Sequence, residues 1–205
     1  MKFAKKLSII VCSLTTALVH TAVIANTYKS AAQAEGQELI TNGGFEDDQL
    51  VDPNNTNATN PNVIGWVKTG DPIDTSGTRI DNFANTGKQG LSLGGFSALS
   101  YISQTIPTVV NQHYQLTFYL ASTEEVPDLD NKFKAFIRGD RVCWKKNTSY
   151  QPYTLYTFYF KAKETSTEIK FASRVKYAFL YLDDVSVKSI EQQGQNSVCD
   201  DPGSE

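Results

Sequence analysis

The chain has 205 residues, a formal net charge of -3 at pH 7, two histidines and three cysteines. An acidic chain with no basic cluster in its sequence lacks the electrostatic footprint that neutralises phosphates, which argues against a dedicated binder of nucleic acid or of anionic membrane. Two histidines, His20 and His113, leave little material for imidazole-based metal or triad chemistry.

Lys2, Lys5 and Lys6 precede residues 7–25, an apolar run without a charged side chain. This is the pattern of a secretory signal peptide cleaved after Ala25, with Ala32-Gln33-Ala34 as a second cleavage candidate. Ser13, Thr15, Thr16, His20 and Thr21 interrupt the run, a poor fit to the roughly 20 apolar residues of a spanning helix. A retained anchor is the alternative. No second apolar run of that length follows, so no membrane span is expected after cleavage. Losing residues 1–25 removes three lysines and no acid, leaving 180 residues and a formal charge of -6. The expected place of such a chain is outside the cell, in a periplasm or on a cell surface.

Residues 26–37 are small and polar and read as a flexible lead-in. From 38 to 190 the sequence alternates apolar and polar residues in short runs separated by Gly, Asn, Asp and Pro, the mark of strands and turns. Short strands are predicted at Glu38–Thr41, Ile64–Lys68, Gly90–Leu93, Leu99–Ile106 and Lys132–Arg138. Between the first two lies 47–62, an asparagine-rich stretch without apolar periodicity, either a long surface loop or a disordered insertion.

The clearest strand is His113–Ala121, with Tyr114, Leu116, Phe118 and Leu120 on one face and Gln115, Thr117 and Tyr119 on the other. Tyr153–Lys161 sets Tyr156, Phe158 and Phe160 against Tyr153, Leu155, Thr157 and Tyr159. Thr167–Ser173 turns Ile169 and Phe171 inward. Phe179–Ile190 alternates through Leu180 and Leu182 and then through Val185 and Val187, so Asp183-Asp184 marks a bulge or local turn. Residues 191–205 form a polar tail. Nine or ten strands without a helical spacer predict an all-β, two-sheet antiparallel sandwich.

Of the cysteines, Cys12 leaves with the leader. Cys143 and Cys199 then form an even pair that an oxidising compartment would join, with two free thiols as the alternative.

Two ends of the domain carry more specific sequence. Leu39-Ile40-Thr41-Asn42-Gly43-Gly44-Phe45-Glu46 is followed by Gly65-Trp66, and Leu180-Tyr181-Leu182-Asp183-Asp184-Val185-Ser186-Val187 closes the domain. Gly87-Lys88-Gln89-Gly90-Leu91, Ser103-Gln104-Thr105-Ile106 and Tyr114-Gln115-Leu116 lie between them. In this order they resemble the galactose-binding-like jelly rolls, above all family 4 and family 9 carbohydrate-binding modules and a related plant cell-wall family of unassigned activity. The resemblance covers residues 38–189. It implies a jelly-roll sandwich whose first and last strands pair, and members often hold a structural Ca²⁺ where they meet. Carried onto this chain, the ligands would be Glu46, Asp183 and Asp184, with backbone carbonyls of a loop such as Lys88 to Gly90. Ca²⁺ suits gathered carboxylates because it takes six to eight oxygens. The alternative is that the acids accept hydrogen bonds from turn backbone without a metal.

Sugar recognition uses aromatic faces flanked by amides, carboxylates and guanidinium groups. Trp144, Tyr119, Tyr101, Tyr153 and Tyr159 are the candidate aromatic contacts, Trp144 first because its neighbourhood is charged; Arg138, Gln115 and Asn131 could bond hydroxyls. Trp66, after Gly65, reads as core, because buried aromatics are the commoner case. Hydrolysis of a glycoside would need two carboxylates across a cleft, and here they are scattered, or clustered in one loop at Glu124, Glu125, Asp128 and Asp130. The reading is a secreted, non-catalytic carbohydrate-binding protein whose partner is a glycan or polysaccharide. The alternative is an extracellular matrix or adhesion protein that associates with itself.

Overall fold

A computed structural model describes residues 36–50, 62–71, 77–123, 125, 130–176 and 179–199. The predicted leader, most of the lead-in, the middle of the 47–62 loop and residues 200–205 lie outside them, as do the loop acids Glu124 and Asp128. Among the described residues there is no helix, and the strands are β1 Val67–Gly70, β2 Arg79–Asp81, β3 Gly90–Leu93, β4 Ser100–Pro107, β5 His113–Ser122, β6 Lys132–Ile137, β7 Asp140–Lys146, β8 Gln151–Lys161, β9 Ser166–Arg174 and β10 Leu180–Ile190. They form two antiparallel five-stranded sheets, β1-β4-β9-β6-β7 and β2-β3-β10-β5-β8. This is the two-sheet antiparallel sandwich that the alternation predicts, in the jelly-roll form that the resemblance implies.

The core follows from that alternation. Tyr114, Leu116, Phe118 and Leu120 of β5 are all buried, as are Tyr156, Phe158 and Phe160 of β8. Phe118 links the layers, meeting Phe171 of β9 edge-on at 5.1 Å and Phe133 of β6 at 5.7 Å. Buried aromatics of this size supply much of a sandwich's stability. Trp66 is core, as read: it packs on Phe45 at 5.9 Å and Phe171 at 6.2 Å, and its Nε1 donates to the Asn42 carbonyl.

The chain ends meet. Glu38 bridges Lys188, and the Leu39 N–H donates to Val187 O at 2.9 Å. Glu38–Thr41 is thus attached by an isolated bridge and is not a full strand. The β10–β5 register slips between Asp183 and Ser186, which places the expected bulge. There the Val185 N–H leaves the ladder and donates to Gly43 O at 2.9 Å. Gly43 is required by proximity, since a Cβ on it would stand 1.9 Å from the Val185 carbonyl oxygen.

β2 and β7 were not predicted. β2 has three residues and buries an Arg79–Asp81 ion pair, while β7 is mostly polar and is set off from β6 by an irregularity at Ala135/Phe136 that breaks its alternation. Trp144 therefore lies on a strand and not at a turn. The tail is more than a polar extension, because it runs along edge strand β8: Ser197 N–H donates to Thr157 O at 2.8 Å, and Tyr159 N–H donates to Asn196 Oδ1 at 2.8 Å. It then reaches edge strand β7, where Cys199 is bonded to Cys143 with the Cα atoms 5.0 Å apart, a spacing ordinary for a disulfide. Backbone pairing along β8 answers the exposed-edge problem of an open sheet.

Candidate functional site

The predicted ligand residues do not converge. Tyr101 and Trp144 lie on the outer face of the first sheet, with Arg138 at the β6–β7 turn beside it, whereas Gln115, Tyr119 and Tyr159 lie on the outer face of the second. One groove cannot contain both sets, because the sandwich core stands between them.

On the first sheet, Tyr101 alternates with buried Ser100 and Ile102, and Trp144 follows buried Cys143. Register aligns them in one row, Thr69–Tyr101–Ala172–Lys134–Trp144. The Trp144 ring carries Lys134 Nζ at 5.0 Å and the Arg141 guanidinium at 4.5 Å, contacts that an aromatic quadrupole favours. The neighbouring rows are Lys170–Phe136–Arg141 and Arg174–Lys132–Lys146. Arg138 is held by Asp140 at 2.8 Å. Asn131 is buried and fixes the loop by two hydrogen bonds with Thr148, so it is removed from the ligand set.

On the second sheet, the Gln115 amide donates to the Tyr159 hydroxyl at 2.9 Å. Gly194 of the tail lies against the Tyr159 ring, where a Cβ would come within 2.4 Å of it. Farther along, the 82–89 loop folds over the sheet. Phe83 stacks on Tyr153 at 5.2 Å and meets Tyr181 at 4.7 Å, and the Tyr153 hydroxyl donates to Phe83 O. Asp183, the register partner of Tyr119, is buried beneath. Burial pushes its carboxyl up to about 6, against the opposing pull of N–H donors from Asn85 and Asp184. Burial, reinforced by the Asp183 charge, raises the Tyr153 hydroxyl well above its ordinary value.

Glu46, Lys88, Asp183 and Asp184 do meet at the corner where the chain ends join, as the resemblance implied. Their oxygens face donors. Glu46 Oε1 accepts from Lys88 N–H at 2.6 Å and Gln89 N–H at 2.7 Å, Asp183 Oδ2 from Asn85 N–H at 2.7 Å, and Asp183 Oδ1 from Asp184 N–H at 2.7 Å. Asp184 accepts from the Asn85 amide and the Thr86 hydroxyl, each at 2.7 Å. Lys88 contributes its N–H here. Among the described residues no three His, Cys, Asp or Glu side chains are grouped to hold a metal. With its oxygens turned to N–H and O–H donors, the corner has the geometry of the hydrogen-bonded alternative more than that of a Ca²⁺ shell of six to eight converging oxygens.

Sequence reading missed Asn85 and Thr86, which lock this corner, and Gln104, whose amide ties Thr41 and Gly65 to β4. Their one signal was Gly87: its φ is +70° and a Cβ would fall 2.2 Å from Glu46 Oε1, so the loop must wrap a carboxylate. Lys134 and Arg141 were also missed, because nothing in their sequence neighbourhoods places them beside one ring.

Residues 38–187 match the family described as Protein of unknown function (DUF642). Among curated proteins none matches the chain. Among solved structures, TmCBM61 in complex with β-1,4-galactotriose has a TM-score of 0.54 at 13% identity, over 76% of this chain and 100% of that one. The C-terminal family 22 carbohydrate-binding module of Clostridium thermocellum Xyn10B has 0.50 at 10% identity, over 76% and 92%. The enzymatically active domain of bacteriophage CBA120 tailspike protein 4 has 0.52 at 16% identity, over 75% of this chain and 21% of that chain, so only about a fifth of the tailspike is spanned. At these identities the likeness is one of fold, and the fold is that of carbohydrate-binding jelly rolls.

Proposed function

Since the chain belongs to the DUF642 family, whose description leaves its activity open, we propose that it is a secreted, non-catalytic protein that binds glycan on the outer face of its first sheet. The observation that carries this reading is the single cross-strand row holding Tyr101 and Trp144. They stand three strand spacings apart, roughly 14 Å, on half-exposed positions. Two aromatic contacts so spaced suit an extended chain of sugar rings.

The absence of catalysis is proposed from side-chain supply. Glycoside hydrolysis asks for two carboxylates across a cleft, and the described strand positions of this face offer Glu168, 2.7 Å from Lys170 Nζ. Export is supported by the leader pattern and by the Cys143–Cys199 bridge, which suits an oxidising compartment.

The test is affinity electrophoresis of the protein through a panel of soluble polysaccharides, comparing Tyr101→Ala and Trp144→Ala with Tyr119→Ala and Tyr153→Ala on the other face. The first pair should lose at least about tenfold in affinity, equivalent to ~1.4 kcal/mol, with near-ultraviolet circular dichroism unchanged. Binding that survives both first-face substitutions and disappears with the second pair would overturn the assignment.

A further inference from the structure

The first-sheet face is basic although the protein is acidic. Lys132, Lys134, Arg141, Lys146, Lys170 and Arg174 all fall on it from three adjacent strands, β6, β7 and β9. Glu168 is the one acid among the described strand residues projecting there, and it is engaged by Lys170. Arg174 is paired with Asp130 at the rim. Among the described residues no carboxylate pairs with Lys132, Lys134 or Arg141.

The register sharpens the point. Lys132 has Arg174 directly opposite on one side and Lys146 directly opposite on the other. Like charges facing across strands are destabilising; Asp130 offsets this at Arg174, while Lys132 stands between the two other cations. In the next row Lys134 lies over the Trp144 ring, joined there by Arg141 from the row beyond. The ring therefore holds cations in place as well as offering apolar area, and Tyr101 remains at the far end of the row.

We propose that the ligand of this face is a polyanionic glycan, a polysaccharide bearing uronate carboxylates, with Lys132, Lys134 and Arg141 meeting the acid groups and Tyr101 the ring faces. The inference rests on the glycan reading above and names the class of sugar. A chain with regularly spaced carboxylates can meet cations that stand two residues apart along β6, Lys132 and Lys134, roughly 6.8 Å by strand rise, with Arg141 on β7, a strand about 4.8 Å away. Guanidinium and ammonium groups suit carboxylates in complementary ways, Arg by its planar fork and Lys as a point charge.

The experiment measures binding of the full-length protein, in 20 to 500 mM NaCl, to three uronate polysaccharides (alginate, polygalacturonate and hyaluronan), three neutral ones (laminarin, β-1,4-galactan and mannan), and duplex DNA. At least one uronate should bind ten times or more tightly than every neutral chain, and weaken as salt rises, since screening acts on exposed charges. Lys134→Gln with Arg141→Gln should cost that uronate affinity about tenfold, and Lys132→Gln should cost it less. Tyr101→Ala should weaken uronate binding at every salt concentration. Binding of neutral chains alone would overturn the anionic class while keeping the glycan reading. Binding of none of the six would overturn both. Binding of DNA as tightly as the best uronate, with no effect of Tyr101→Ala, would overturn the glycan in favour of a general polyanion surface.

Discussion

The two outer faces of the sandwich begin from the same sequence pattern and end differently. Tyr101 on β4 and Tyr119 on β5 each alternate with buried neighbours, and each is half-exposed. Over the second sheet the chain folds back on itself: the 82–89 loop brings Phe83 onto Tyr153 and Tyr181, and the tail lays Gly194 on Tyr159. Over the first sheet the described chain makes no such return, and the rows of Lys, Arg and aromatic side chains stay presented. Polar groups on the second face bond to one another, whereas the first face carries six cations, of which Lys170 and Arg174 are paired with acids. One face is covered by its own chain, and the other is the face proposed to bind.

Cys199→Ser is the harshest way to press on this contrast. Opening a disulfide that spans 56 residues should cost about 4 kcal/mol by loop entropy, read by urea unfolding. Affinity measured well below the transition should be retained, because the cation rows lie on β9, β6 and β7 and not on the tail. Equal losses in affinity and stability would erase the division of labour.

Next is Asp183→Ala. It strands the N–H groups of Asn85, Thr86 and Asp184 and should cost about 3 kcal/mol, each unmet donor adding to the loss. Lys134→Ala on the open face should fall within about 0.5 kcal/mol of wild type. The same acid gives a pH signature. Its folded value is raised from 3.8 to about 6, so within that window the folded state keeps a proton that the unfolded state has lost, and the contribution of Asp183 to stability falls as pH rises. The advantage of wild type over Asp183→Asn should therefore shrink between pH 4 and pH 7 in urea melts.

The smallest effect expected is that of chelation. With the corner carboxylates already turned to N–H and O–H donors, EDTA should leave Tm unchanged. A fall in Tm on chelation, reversed by added Ca²⁺, would place the ion there, because a ligand specific for the native state raises its apparent stability.

Much of this was legible in the sequence, for identifiable reasons. The long alternations of β5 and β8 announce half-buried strands, and the parity change at Asp183-Asp184 announces the bulge. β2 is too short for periodicity, and β7 hides its alternation behind charge and an irregular register. The meeting of Glu46 with Asp183 and Asp184 was implied by the family resemblance, whose first and last strands pair. That Asn85 and Thr86 satisfy those acids did not, because loop backbone direction leaves no trace in composition. The basic face was invisible to a linear scan: its cations are spread from Lys132 to Arg174, and only register collects them. Alternation told which side chains point outward, but whether a loop or the tail would cover them was decided elsewhere in the chain.

The bulge in β10 has a use beyond bending a strand. Deleting Asp184 would leave Leu180, Leu182, Val185 and Val187 in strict alternation, so the sheet itself could spare the residue. What it could not spare is the peptide group that the extra residue swings outward, the Val185 N–H that takes hold of Gly43 O. A chain shortened by that one residue would be a tidier sheet that had given up one of the bonds tying down its opening segment, which makes the irregularity a mooring point rather than a defect.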